Sequence, residues 1–339
     1  MNKKDLNDFF ASVSPTDEQK LRSLEKLTEK ERKNMKFNKK MLFALCTAVV
    51  VMGATVTATM PSWNEKLIRY FKPTAEQTES MLGAVNSPQV SKTDNGVTVN
   101  VLNTIVDSHG LYTLYEVTLP DDITVTQELM DKNLSWDMRY MNFKTDEPQN
   151  VYGLYSEGID VVDFSEHKIT FMLFENTAHK ILNNQIVRLK CENLVYFEDF
   201  GDGNVEKKLL KKCNFDLSWK LNYEDLSKKI EVNKPVNLIN GKENVLKSVE
   251  VSPLTLWVQV EGADAMEALN LVVKMKNGDE FTLNDYRNTA LVGDSNLTFA
   301  AYNDGRDGGE TTISFRFSKI QNVSDFESIT VGGLTIDLG

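Results

Sequence analysis

The sequence predicts a mainly β protein: a short cytoplasmic helical segment, one transmembrane helix, then two antiparallel β-sandwich domains outside the cell. Three observations predict it. Met41–Met60 contains no acid or base and is long enough to cross a bilayer. From about Pro88 onward the hydrophobic pattern alternates with period two. One strand–turn–strand pattern also recurs in the second half of the chain.

The first element is residues 1–40. Leu6, Phe9, Phe10 and Val13 fall at i, i+3, i+4 and i+7, one face of a short helix that Pro15 stops. Thr16–Gln19 reads as a capping box, with Asp17 and Glu18 in a first turn whose dipole favours acids. Leu21, Leu24 and Leu27 continue an apolar stripe toward a basic run. Forty residues are too few to bury the two stripes against each other in a stable domain. They form either a solvated tether or, the preferred reading, a segment that folds onto a cytoplasmic partner. These seven apolar residues are the candidate partner-binding set.

The second element is the span, residues 41–60. At about 1.5 Å per residue it covers about 30 Å, the thickness of a hydrocarbon core. Leu42, Phe43, Leu45, Val49, Val50, Val51 and Val56 favour insertion by roughly 0.3–0.6 kcal/mol each. Gly53 and the threonines at 47, 55, 57 and 59 dilute that gain. Trp63 is expected to serve as an interfacial anchor. A cleaved signal peptide ending at Val56-Thr57-Ala58 is the rival, disfavoured by the forty-residue polar segment ahead of it. Lys30, Arg32, Lys33, Lys36, Lys39 and Lys40 crowd the N-terminal flank, against Lys66, Arg69 and Lys72 beyond the span, so the N-terminus is expected in the cytoplasm.

Charge divides the chain. Residues 1–40 hold eleven Lys/Arg and seven Asp/Glu, a net of +4; the whole chain carries −11 and the span is neutral, which leaves −15 on residues 61–339. An acidic exterior argues against nucleic acid or another polyanion as its partner. The length beyond the span is enough for two domains.

Residues 61–87 read as a juxtamembrane stem, with helical spacing at Leu67, Ile68 and Phe71 and an interruption at Pro73. Strands follow at Val97–Val101, Leu269–Met275, Thr312–Phe317 and Leu334–Leu338, with turns at Asn277-Gly278, Asp304-Gly305 and Gly308-Gly309. Regular short strands between glycine turns predict β-sandwiches. Thr126–Leu134 is expected as a short crossover helix. Asn100–Ser108 leading into Tyr112–Val117 is matched by Asn244–Ser252 leading into Leu254–Val260, offsets of 144 and 142, so the second turn is expected to be shorter. Such likeness also arises by chance among β proteins. Taken as a repeat, it divides the exterior into domains at 88–222 and 228–339, with a seam near Asn222–Ser227.

Catalytic signatures do not emerge. His109, His167 and His179 match no metal-ligand spacing, and no G-x-S-x-G, phosphate-cradling glycine loop or H-E-x-x-H occurs. Asp304, Asp307 and Glu310 read as a hairpin loop rather than a calcium site, and Tyr196–Gly203 reads as a loop too. No enzyme activity, metal or cofactor is expected. Cys46 lies in the span; Cys191 and Cys213 flank Phe200–Asn204 almost symmetrically, compatible with a cross-strand disulfide or with two half-buried thiols.

The layout of NKKDLNDFFASVSPTDE, MPSWNEKL and GVTVNVLNTIVDSHGLYTLYEVTLP resembles membrane-anchored, anti-sigma-factor-like proteins of Gram-positive bacteria. In these the first extracellular module is a domain of unknown function. FDLSWKLNYEDLSKKIEVNKPV and SVEVSPLTLWVQVEG resemble the immunoglobulin-like companion module. The resemblance implies an extracytoplasmic-function sigma factor as the partner of residues 1–40 and an unidentified extracellular ligand. Many anti-sigma factors hold zinc with a His/Cys cluster in the cytoplasm; residues 1–40 contain neither residue, which excludes that version. The expected function is therefore sigma-factor sequestration coupled to sensing of an envelope condition. The alternative is an anchored extracellular binding or structural module without a sigma-factor role.

Overall fold

Asn64, itself in an extended conformation, accepts a hydrogen bond from the Lys66 amide, and a helix starts there (α1, Glu65–Phe71). It stops at Lys72, which takes the left-handed conformation just before Pro73. A second helix (α2, Ala75–Ser80) opens with a capping box between Thr74 and Gln77. The computed structural model describes residues 63–144, 156–177, 179–199, 205–237, 243–262, 271–283, 299–303, 310–317 and 319–339. Residues 1–40, with Leu6, Phe9, Phe10, Val13, Leu21, Leu24 and Leu27, and the expected span 41–60 lie outside the described residues, as do the turns at 304–305 and 308–309. Among the described residues no helix is long and apolar enough to cross a membrane.

The rest is mainly antiparallel β, as the alternation predicts. The first half contains β1 (Val85–Asn86), β2 (Val90–Asp94), β3 (Val97–Val106), β4 (Gly110–Thr118), the expected crossover helix α3 (Gln127–Asp131), β5 (Ser135–Lys144), β6 (Ser156–Ser165), β7 (Lys168–Asn176), β8 (Ile186–Asp199) and β9 (Val205–Lys220). The second contains β10 (Lys228–Asn237), β11 (Glu243–Val251), β12 (Thr255–Glu261), β13 (Leu271–Met275), β14 (Glu280–Leu283), β15 (Phe299–Asn303), β16 (Glu310–Arg316), β17 (Phe326–Val331) and β18 (Leu334–Asp337).

In the first half one sheet runs β1-β3-β4-β7-β6, with β2 also on β3, and a second runs β5-β8-β9. In the second half the sheets run β10-β11-β12-β16-β15 and β14-β13-β17-β18. Each half has its own hydrophobic cluster drawing on both of its sheets. Val99, Tyr115 and Phe171 meet Leu189, Phe215 and Trp219 in the first. Val258 and Phe315 meet Val273 and Ile329 in the second. Burial of each such side chain stabilises by roughly 1.5–3 kcal/mol.

The register corrects the expected repeat offsets. Val101 pairs with Tyr115 and Asn103 with Leu114, so Leu102 bulges; Leu246 pairs with Val260 and Ser248 with Gln259, so Lys247 bulges. Both strands are thus offset by 145, and the two turns have the same length. Asp107 N–H donates to the Gly110 carbonyl at 3.0 Å, and Ser252 N–H to that of Thr255 at 2.9 Å. The agreement extends to the next strand. Thr177 N–H bonds to the His109 carbonyl and Ile181 N–H to that of Ser108; Phe317 N–H bonds to that of Leu254 and Gln321 N–H to that of Pro253. The letter match is off by one residue in the first strand and by three in the second, and any odd slip turns every side chain of a strand to the other face.

The stem is helical as expected but does not hang free. Trp63, Leu67, Phe71, Met81, Ala84 and Val85 pack on Ile105, Tyr112, Leu114, Met172 and Phe174 of the first half, and Leu254 and Ile320 of the second join the same cluster. Trp63, expected as an interfacial anchor, is instead 7% exposed within this cluster. An indole satisfies a protein core as readily as a headgroup region, and sequence cannot distinguish the two. Both halves belong to one compact unit, Met60–Gly339.

Candidate functional site

The densest buried polar constellation lies where the two halves meet, and two turns build it. The β3–β4 turn carries Asp107, whose carboxylate accepts from its own turn through the amides of His109 (2.9 Å) and Gly110 (2.6 Å). It also accepts from the β11–β12 turn: the Leu254 amide at 3.0 Å, the Thr255 hydroxyl at 3.0 and 3.1 Å, and the Ser252 hydroxyl. Burial pushes the Asp107 carboxyl up in pKa, against the pull of the Ser252 hydroxyl and the His109 and Gly110 amides. Gly110 permits the approach, because a Cβ there would sit 2.8 Å from Cγ2 of Thr255.

Around this core sit further cross-links. The His109 ring stacks on Trp257, centroids 4.9 Å apart and planes at 10°. Its Nδ1 lies 3.2 Å from the Thr177 carbonyl and its Nε2 3.9 Å from Oε2 of Glu250. Both ring nitrogens therefore face oxygen acceptors. Burial would push the Glu250 carboxyl up, but His109 and the Ser227 hydroxyl hold it well below the usual carboxylate range. Lys180 spans Glu250 at 3.4 Å and Asp225 at 2.7 Å. Asn176 donates to the Ser314 carbonyl at 3.0 Å and accepts from its hydroxyl at 2.5 Å. The Arg316 guanidinium lies 3.8 Å from the Phe174 ring centroid.

The stem ties into the same joint. Gln77 donates to the Ile320 carbonyl at 2.8 Å, and the Glu224 amide to that of Gly83 at 2.7 Å. A carboxylate held by five donors is positioned to lock two surfaces together, not to exchange protons with a substrate.

The other expected sites resolve as follows. Cys191 stands opposite Phe215, whereas Cys213 lies at the bulge opposite Asn193, so the two are not cross-strand partners. No disulfide joins them; both are buried thiols. Burial pushes the Cys213 thiol up in pKa. His167 places Nδ1 2.9 Å from the Ile123 carbonyl. Glu310 accepts from Gln259 at 2.7 Å, while Asp304 and Asp307 lie outside the described residues. Among the described residues no group of three or more His, Cys, Asp or Glu could hold a metal ion.

Sequence reasoning missed Asp107, Glu250, Trp257 and Lys180 and saw His109 only as a failed metal ligand. The available signal was the D-x-x-G turn of residues 107–110, with a histidine inside it.

No family model matches the chain, and no curated protein matches it. A solved structure described as that of the conserved domain protein from Bacillus anthracis is similar over 72% of this chain and 75% of that one, at 15% identity and a TM-score of 0.41.

Proposed function

We propose that this chain is a single-pass membrane signalling protein. Two immunoglobulin-like β-sandwiches sense an envelope condition outside, residues 41–60 cross the bilayer, and residues 1–40 sequester an extracytoplasmic-function sigma factor. The observation that supports the reading is the stem. Trp63, three residues beyond the expected span, is already built into a cluster shared by both halves, so a change in either half reaches the chain leading to the membrane. Inside the cell the mechanism is occlusion: the apolar stripes cover surface that the sigma factor needs for polymerase. A second reading, an anchored binding module with a topology-setting cytoplasmic stub, is favoured by a polar notch beside Trp63.

Replacing Phe9 and Phe10 with Ala tests the first reading. Aromatic anchors in a helix-in-groove contact cost about 2 kcal/mol or more on truncation, roughly a thirtyfold loss of affinity. Transcripts of the sigma factor's target genes should rise while the membrane-bound protein stays at constant level. Unchanged transcripts at constant protein level would hand first place to the anchored binding module.

A further inference from the structure

The β5-β8-β9 sheet ends in an open edge. β9 pairs with β8 on one side, and among the described residues no strand pairs with it on the other. Its later part leans on the end of β2: Asn95 donates to the Lys212 carbonyl at 2.7 Å, and the Asn214 amide donates to Asp94 at 2.7 Å. Those bonds begin at Lys212, which leaves the outer edge of residues 205–211 open among the described residues. Val205 and Leu209 on this edge are each 60% exposed, more than any other large apolar side chain described. Strand alternation puts both on one face with Lys207 between them, where Lys207 stands opposite Phe197 and Leu209 opposite Val195.

Lysines on an edge strand ordinarily keep other strands away. Here each of them already has a counter-charge in its own copy. Lys207 pairs with Asp137, Lys208 with Glu206 at 2.7 Å and Lys211 with Asp122 at 3.6 Å, so the edge is neutral once these acids are counted. The segment is also complementary to itself. Laid antiparallel against a second copy about Lys207, Val205 falls opposite Leu209 of that copy and Glu206 opposite its Lys208, and both pairs recur beyond the axis. Lys207 alone meets its own counterpart, and Asp137 offsets both charges. Centring the pairing on Glu206 or on Lys208 would oppose like charges at the axis and set Val205 against Lys207 or Lys211.

We propose that the open edge of β9 docks a second copy of this chain, residues 205–209 of each pairing antiparallel about a two-fold axis at Lys207. Two three-stranded sheets then become one six-stranded sheet. Five residues of edge are too little for an obligate interface, so the association is weak and depends on concentration. It does not depend on what residues 1–40 bind, and its assay contains no sigma factor.

The test uses the full-length chain in detergent, with sedimentation velocity over about a hundredfold range of concentration. The expected result is a reversible monomer–dimer equilibrium. Glu206→Lys sets a lysine against Lys208 at both ends of the contact and should weaken the dimer about tenfold. Combining it with Lys208→Glu exchanges the charges in both copies and should restore the dimer. Both side chains are exposed, Glu206 by 56% and Lys208 by 36%, so neither change touches a core. Cross-linking reads the register. Directly opposed Cα atoms lie about 4.5–5.5 Å apart, within reach of a disulfide. Lys207→Cys should therefore link two copies under mild oxidation at least about tenfold faster than Glu206→Cys, with the parent chain as the background for Cys46, Cys191 and Cys213. A chain that stays monomeric throughout, a dimer indifferent to Glu206→Lys, a dimer that the charge exchange does not restore, or equal linking at 206 and 207 would each overturn the proposal.

Discussion

Where the β3–β4 turn carries Asp107, His109 and Gly110, the β11–β12 turn carries Ser252, Leu254 and Thr255 at the equivalent positions. The frameworks are the same: equal turn length, equal bulge position and the same hydrogen bonds to the following strand. The side chains are complementary instead. One turn brings the acceptor, the other brings three of its five donors and the methyl group that fills the space above Gly110. Two copies of the first turn would set two carboxylates in one buried site, where each would oppose the other's ionisation. Divergence at these few positions is what lets one half close on the other, and the stem then covers the seam from the side.

The largest test of that asymmetry is Asp107→Ala. It strands five buried donors at roughly 1–3 kcal/mol each before relaxation, so the net loss should be about 3–5 kcal/mol in urea unfolding. Ser252→Ala removes one donor and should cost about 1 kcal/mol. Equal losses would refute the division into acceptor and donor turns.

Gly110→Ala comes next. Its Cβ would meet Thr255 Cγ2 at 2.8 Å, an overpacking that should cost about 1–3 kcal/mol. Thr255→Ser deletes that methyl and keeps the hydroxyl, so the double variant should recover most of the loss in a double-mutant cycle. Simple additivity would mean that the two turns do not touch as described.

The effect that depends on pH concerns Glu250, and its sign is set by the depressed pKa. Its stabilisation is fully present above the unfolded value of about 4.3 and is lost as pH falls toward the folded value. Asp107, whose pKa is raised, works in the opposite sense, since the folded state then takes up its proton more readily. Glu250→Gln should therefore be less stable than the parent at pH 7 and converge with it in acid. A constant difference between pH 3 and pH 7 would assign Glu250 a packing role only.

Much of the framework is written in local pattern. Alternation from Val97 onward places β3, the Asn277-Gly278 turn lies between β13 and β14, and Thr126 caps the predicted crossover helix. Symmetry of the segment around residues 200–204 foretells the β8–β9 pairing, although not its two register shifts, and together these remove Cys213 from the position opposite Cys191. Each of these features needs only neighbours within a turn or a hairpin, so the amino-acid order alone determines it.

The joint is different in kind. Asp107 meets Thr255 across 148 residues, and Asn176 meets Ser314 across 138. Nothing local in V-D-S-H-G says whether its carboxylate caps a solvated turn or locks a buried seam; only the packing of one half on the other removes water and forces the choice. Trp63 makes the same point. Its spacing from the apolar run suits a membrane interface, yet it is buried in a cluster that draws on Tyr112 and Phe174 of one half and Leu254 of the other, which only the folded chain assembles.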